Sequence, residues 1–452
     1  MIKRPSFRDV DMVRGSIFKG MARFALPLAA SSILQLFFNA ADVVVIGQFG
    51  SPVSLAAVGA DGLIVGLFAN LLLNLSIGST VLAAKFLGAC EDKKVRGIVN
   101  VSMILALTLG VLGMIITAVF GEAFLKLLGT PSDVMPGALQ YLYFYLPGIP
   151  GVAIYNFGAA ILRAKGDTSR PFYFLIISGL INVVLNLFFV IGFKMDVAGV
   201  ALATTISQYV ATGLMLRCLA RERKSIRLDI HNIYFDSSAF KGVLKIGAPA
   251  AFQCLVFYIS NFVIQASVNS FGPVTMAGNA AAANIEMFVW VCMSGFEIAG
   301  MTYISRNLGA KEYARIDESN RISLFYTFCI GEMFGLIVVF FAHSLMRIYS
   351  PDPAIIEQGV IRIYFVCGTY GICGLMDGFS SNLRGLGHSV LPSVVCMFGA
   401  CGLRLLWIFT FFNIPANHKL TNLYVAYPGS WSISAIVLAV CYVVVRRKYP
   451  KG

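Results

Sequence analysis

The chain has 452 residues, of which 58% are hydrophobic and only 13% charged, with a formal net charge of +13. Soluble domains carry about one quarter charged residues, so this composition excludes an ordinary soluble enzyme or binding module. Apolar runs of about 20 residues, the length that crosses hydrocarbon as a helix, recur from end to end. Twelve spans are predicted, at about 22–47, 58–84, 97–120, 137–161, 171–193, 197–219, 244–270, 278–303, 322–346, 358–381, 392–413 and 429–446. They are too long and too evenly apolar for barrel strands, and in lipid each must satisfy its own backbone groups; the reading is helical.

The basic excess follows topology rather than nucleic acid, and no nucleic-acid partner is expected. Lys and Arg crowd before Arg23, around Lys93, at 217–245 and from Arg446 to Lys451, all on one side of the twelve-span arrangement. The other side receives only Lys126, Lys194, Arg347, Arg362 and Lys419, and Arg404 falls inside a span. The positive-inside rule then puts both termini in the cytoplasm, with anionic lipid as a partner of the basic face. Ten cysteines without a CxxC pair, none in a predicted external loop, read as small core residues rather than a disulfide or zinc framework. The first apolar run is long enough to span and follows a basic start, so it is read as a retained helix, not a cleaved signal.

The chain repeats itself. LRAKGDTSRP at 162–171 returns as LRGLGHSVLP at 383–392, an offset of 221 residues, and FGSPVSLAA at 49–57 returns as FGPVTMAG at 271–278. Leu87-Gly88-Ala89 returns as Leu308-Gly309-Ala310, while Pro27 and Asn39 find counterparts in Pro249 and Asn261. The period holds six spans, an even number, so both halves enter the membrane in the same direction. The expected fold is an all-α membrane protein of twelve transmembrane helices, in two six-helix lobes around a central cavity. The lobes are expected at 1–222 and 244–452, with a basic cytoplasmic linker at 223–243. Two like lobes that can rock about such a cavity suit a transporter.

Within these spans, polar residues mark candidate sites. Gln35, Asn39 and Asp42 lie at i, i+4 and i+7 on one face of the first span. A charge at that depth costs at least about 2.5–3.5 kcal/mol, which makes Asp42 a candidate for binding a proton or, given enough neighbouring oxygens, Na⁺ as the only metal in prospect. The alternative is a carboxylate satisfied by a neighbouring helix. Asn182 and Asn186, one turn apart in the fifth span, can supply neutral oxygens to the same pocket. Tyr155 and Asn156 are weaker cavity candidates, and Gln35 also faces the cavity. In the second lobe, Gln253, Phe257, Asn261, Gln265 and Asn269 form a stripe expected to line the cavity. Ile264 stands at the repeat position of Asp42, so that acid belongs to the first lobe alone. Arg404 needs a partner, with Asp377 and Glu286 as the options. Glu297 and Glu332 read as satisfied or snorkelling acids.

With FNAADVVVIG, AAVGADG through KFLGA, AILRAKGDTSRPFYFLIISGLINVVLN, VAGVALATTISQ and SNLRGLGHSVLP in view, the chain resembles the multidrug and toxic compound extrusion (MATE) transporters, most closely the bacterial multidrug exporters. The resemblance covers essentially all twelve spans. It implies export of small amphipathic cations from the bacterial cytoplasmic (inner) membrane, by a monomer without cofactor, driven by inward H⁺ or Na⁺. It makes Asp42 the coupling acid, with Asn39, Asn182 and Asn186 around it. Asn186 stands where many proton-coupled members have Asp, and Phe257 where Na⁺-coupled members have Glu, which leaves the ion open. The competing expectation is a flippase for a lipid-linked saccharide or cell-wall precursor; its phosphates would favour a basic cavity. Asp42, Glu286 and Asp377 against a lone Arg404 favour cations. No HExxH, GxSxG or Walker sequence supports an enzyme or an ATP-driven pump.

Overall fold

A computed structural model describes residues 9–222 and 224–450. The helices α1 (Ile17–Phe49), α2 (Pro52–Gly88), α3 (Asp92–Leu127), α4 (Met135–Tyr145), α5 (Gly148–Lys165), α6 (Ser169–Leu187) and α7 (Asp196–Ala220) make up the first half. The second half holds α8 (Ser237–Asn269), α9 (Pro273–Ala310), α10 (Tyr313–Phe340), α11 (Ala342–Tyr349), α12 (Pro353–Val366), α13 (Tyr370–Gly385), α14 (Val390–Cys396), α15 (Leu403–Trp407) and α16 (Leu420–Arg446). Among the described residues eleven helical stretches are long and apolar enough to cross a membrane, and a twelfth follows when the bent pair α4–α5 counts as one span. The protein is an all-α, multi-pass membrane protein.

The interruptions have local causes. The fourth predicted span bends by 50° between α4 and α5, where Pro147 can donate no N–H to the preceding turn. Single π-helical turns at Phe188–Gly192, Met397–Gly402 and Ile408–Phe412 interrupt the fifth and eleventh spans. At the start of α2, Ser51 accepts from the Ser54 N–H at 3.1 Å and Pro52 occupies the first turn, where a missing N–H costs nothing.

The contacts group the chain into two units. One contains the stretch ending at Val10 together with Ala30–Ala251; the other contains Asp11–Ala29 and Phe252–Gly452. Two helices are therefore shared, and the division differs from one at 222 and 244. The first part of α8 packs Ala239 and Val243 into the core of the first unit, and this helix already begins at Ser237, where Asp236 caps the Ser238 and Ala239 amides. The first turns of α1 bury Phe24, which meets Tyr303 of α9 edge to face in the second unit. In both helices the division falls two residues beyond an internal proline, Pro27 or Pro249. Of the expected linker, Arg223 lies outside the described residues, as do the first eight and last two residues of the expected lobes.

Candidate functional site

In the first unit the ring of Phe38 on α1 lies against α6 where position 179 is glycine. A Cβ there would overlap the ring of Phe38, one turn before Asp42. This approach brings Asp42, 7% exposed, against the amides of α6. The Asn186 Nδ2 donates to Asp42 Oδ1 and also lies 3.3 Å from Asn182 Oδ1. The Thr204 hydroxyl of α7 lies 3.3 Å from Asp42 Oδ2 and 2.9 Å from the Val200 carbonyl, so its single proton serves one acceptor at a time. Asn182 in turn donates to Thr204 at 3.2 Å. Neutral donors hold this carboxylate, each bond to a charged acceptor contributing about 1.5–3 kcal/mol, and no Lys or Arg pairs with it among the described residues. Asp42, Asn182, Asn186 and Thr204 thus form one hydrogen-bonded cluster across α1, α6 and α7.

The other first-unit residues separate. Gln35 and Asn39 are exposed and make no hydrogen bond to Asp42 among the described residues, so the stripe ends at the acid. Tyr155 is buried and donates to the Pro171 carbonyl at 2.9 Å; its hydroxyl ties α5 to the start of α6 instead of facing a cavity. Asn156 is half-buried. Two residues that sequence reasoning did not weigh stand out. Thr204 lies within the VAGVALATTISQ stretch, and its short side chain gave no charge signal. Asp61, within AAVGADG, carried the same signal as Asp42, a lone acid in an apolar run, and is wholly buried on α2.

The second unit handles its charges differently. Arg362 of α12 donates through Nε and Nη2 to Glu286 Oε2 of α9, at 3.1 and 2.6 Å, and through Nη1 to Asn279 Oδ1 at 2.8 Å. The Tyr424 hydroxyl donates to the same Asn279 oxygen at 2.8 Å, and Tyr370 lies 3.3 Å from Glu286 Oε1. Arg404 takes neither expected carboxylate. Its Nε donates to Ser430 at 2.8 Å, and its guanidinium carbon lies 4.2 Å from the Tyr427 ring centre and 5.4 Å from that of Trp431. Glu286 is already engaged by Arg362, and the π faces of α16 supply the attraction instead. Asp377 is approached by the Cys373 thiol at 3.7 Å. The α8 stripe divides as well: Gln253 accepts from Arg384 at 2.6 Å, Gln265 joins Asn269 to Asn279, Phe257 packs on the core, and Asn261 is exposed. With Arg362, Arg384 and Arg404 all buried, Arg404 is not the lone arginine of this unit.

The sequence model of the family described as MatE matches residues 27–188 and again residues 249–410. The chain belongs to the MatE family. Members are membrane transporters, and so is this chain, rather than an enzyme. The two matches begin and end 222 residues apart (249 less 27, 410 less 188), which places the internal repeat inside the family's own unit. A probable multidrug resistance protein YoeA of Bacillus subtilis is 23% identical over 96% of this chain and 95% of its own length. A probable multidrug resistance protein NorM of Thermotoga maritima is 26% identical over 86% and 84%. A MATE-family multidrug resistance transporter solved in an outward-facing conformation superposes with a TM-score of 0.92, at 20% identity, over 99% of this chain and all of that one. A second family model, the lipid II flippase MurJ, matches residues 129–276.

Proposed function

We propose that this MatE protein is a secondary antiporter that exports small amphipathic organic cations by alternating access, in exchange for an inward-moving cation. It works as a monomer in the lipid of a bacterial inner membrane, with both termini cytoplasmic and the basic segments at that face. One observation carries the reading. Asp42 is buried in the first unit among Asn186, Asn182 and Thr204 and has no basic partner among the described residues, so its charge is free to be balanced by something that comes and goes. The relatives named for multidrug resistance support the substrate class.

The test is ethidium accumulation in cells lacking their major efflux pumps. Expression of the wild type should lower the dye level, and Asp42→Asn should restore it while the protein still reaches the membrane. Equal dye levels with both would refute the reading. The flippase alternative has the MurJ match behind it, and the buried arginines of the second unit suit phosphate. It predicts translocation of a fluorescent lipid-linked saccharide in proteoliposomes and no effect on ethidium.

A further inference from the structure

Asp61 on α2 is 0% exposed, and neither Oδ1 nor Oδ2 has a hydrogen-bond partner among the described residues. Its surroundings offer no fixed countercharge. Of the helices packed on α2, α3 carries Glu122 and Lys126, an exposed pair at the far end from its cytoplasmic basic residues. In α5 the charged residues Arg163 and Lys165 sit in the last turn, against Ser76 and against Asp9 and Glu222. Asp196, at the start of α7, is engaged by Ser54 near the beginning of α2. From α4 come Tyr141 and Tyr145, buried and stacked at 6.2 Å. Ala57, one turn before Asp61, packs at Gly137, one turn before Tyr141. Tyr141 lies within electrostatic reach of both Asp61 and Asp42, which ties the two acids to one region of the first unit.

Comparison of the two halves sharpens the contrast. Pro52 and Pro273 correspond, so Ala282 stands at the repeat position of Asp61 and Arg362 at that of Tyr141. In the second unit that arginine neutralises Glu286. The first unit has a tyrosine there, and two buried acids with no arginine or lysine on either. Asp42 at least has neutral donors to stabilise a charge; Asp61 has none. A buried carboxylate in that condition needs a proton or a cation of its own, and no group of three or more His, Cys, Asp or Glu side chains that could hold a metal ion is present among the described residues.

We infer that Asp61 is a second proton-binding site of the first unit, a group that takes up and releases a proton in addition to the exchange at Asp42. The inference rests on the antiporter reading and names its ion. Uptake converts the Asp61 carboxylate to the acid; release returns the proton to water and leaves one negative charge, which a monovalent cationic substrate balances in the exchange.

Two measurements on the full-length protein in proteoliposomes test this. In infrared difference spectra between high and low pH, the wild type should show a carboxylic-acid C=O band that Asp61→Asn removes and Asp61→Glu shifts. Under an imposed pH gradient, uphill ethidium transport should be lost in Asp61→Asn and retained in Asp61→Glu. Identical infrared bands in wild type and both variants would overturn the assignment, as would undiminished gradient-driven transport by Asp61→Asn. If the wild type moves no ethidium, the exporter reading fails by itself and the infrared bands still decide for or against Asp61. If Asp61→Asn does not fold, an unshifted band in Asp61→Glu overturns the inference and a shifted one supports it.

Discussion

Arg362→Met removes the cation from an ion pair in the interior of the second unit. The guanidinium gives Glu286 two hydrogen bonds, at 3.1 and 2.6 Å, gives Asn279 one at 2.8 Å, and stacks within 5.6 and 5.4 Å of the Tyr424 and Tyr427 rings. Without it, Glu286 keeps only the Tyr370 hydroxyl at 3.3 Å. Simple addition of three charge-assisted bonds would overshoot, because the bonds share one group. The better guide is the stranded carboxylate, for which loss of one partner of a buried pair costs about 3–5 kcal/mol. Glu286→Gln should cost less, since Arg362 retains Asn279 and two aromatic faces. Replacing both should cost less than Arg362→Met alone, with a coupling of about 2 kcal/mol in a double-mutant cycle. Unfolding in graded detergent–SDS mixtures, followed by tryptophan fluorescence, reads all four proteins. An Arg362→Met protein within about 0.5 kcal/mol of wild type, or strictly additive variants, would refute the reasoning.

Three further outcomes are expected. Gly179→Ala should drive α6 against Phe38 and cost about 1–3 kcal/mol; because Asp42 follows one turn later, ethidium export should fall with it, and normal export at normal stability would argue against this contact as the one that seats Asp42. Tyr155→Phe should lose about 1 kcal/mol, the worth of its bond to the Pro171 carbonyl, and leave the affinity for ethidium unchanged; a shift in affinity would return Tyr155 to the cavity. Glu222, just beyond α7, is partly buried, which opposes its charge, but Arg170 and Lys165 outweigh that and hold it below the ordinary glutamate range. Its stabilisation is thus present above the unfolded-state value and lost as pH falls through the lower folded one. Glu222→Gln should remove about 1–2 kcal/mol at neutral pH, and the difference from wild type should vanish in acid; a difference that persists there would contradict the ion-pair account.

The spans and the repeat were legible because lipid imposes them. Hydrocarbon thickness sets the length of each apolar run, and a duplicated unit leaves its prolines and glycines at a constant spacing. Asp42 was legible for the same reason, as a charge where hydrocarbon should be. Asp61 offered an equal signal and went unweighed beside the stronger stripe of Gln35, Asn39 and Asp42, two members of which turn out to be exposed. Arg362 was hidden by charge counting: lying near the start of a span, it reads as an external-loop residue, whereas α12 begins at Pro353 and carries it two turns inward. The partner of Arg404 was out of reach for a different reason. Tyr427 and Trp431 belong to the next span, and no local pattern says which aromatic faces a distant helix will present.

Duplication alone would give two halves with the same electrostatics, and three substitutions separate them at corresponding positions. Asp42 faces Ile264 across the repeat, Asp61 faces Ala282, and Tyr141 faces Arg362. Each exchange removes an acid from the second half or adds a base to it. In the second unit two of the charges have fixed partners: Glu286 on Arg362, and Arg404 on the rings of α16. A carboxylate paired to a guanidinium at 2.6 Å is expensive to free and makes a poor exchangeable site. Asp42 and Asp61 have no such partner among the described residues, which favours the first unit as the place of the charge exchanged in the proposed transport cycle. Moving a fixed cation into the first unit tests that division directly. Tyr141→Arg imports the second unit's solution beside Asp61 and should abolish gradient-driven ethidium transport while leaving the protein folded, and retained transport would mean that the acids of the first unit do not carry the exchanged charge.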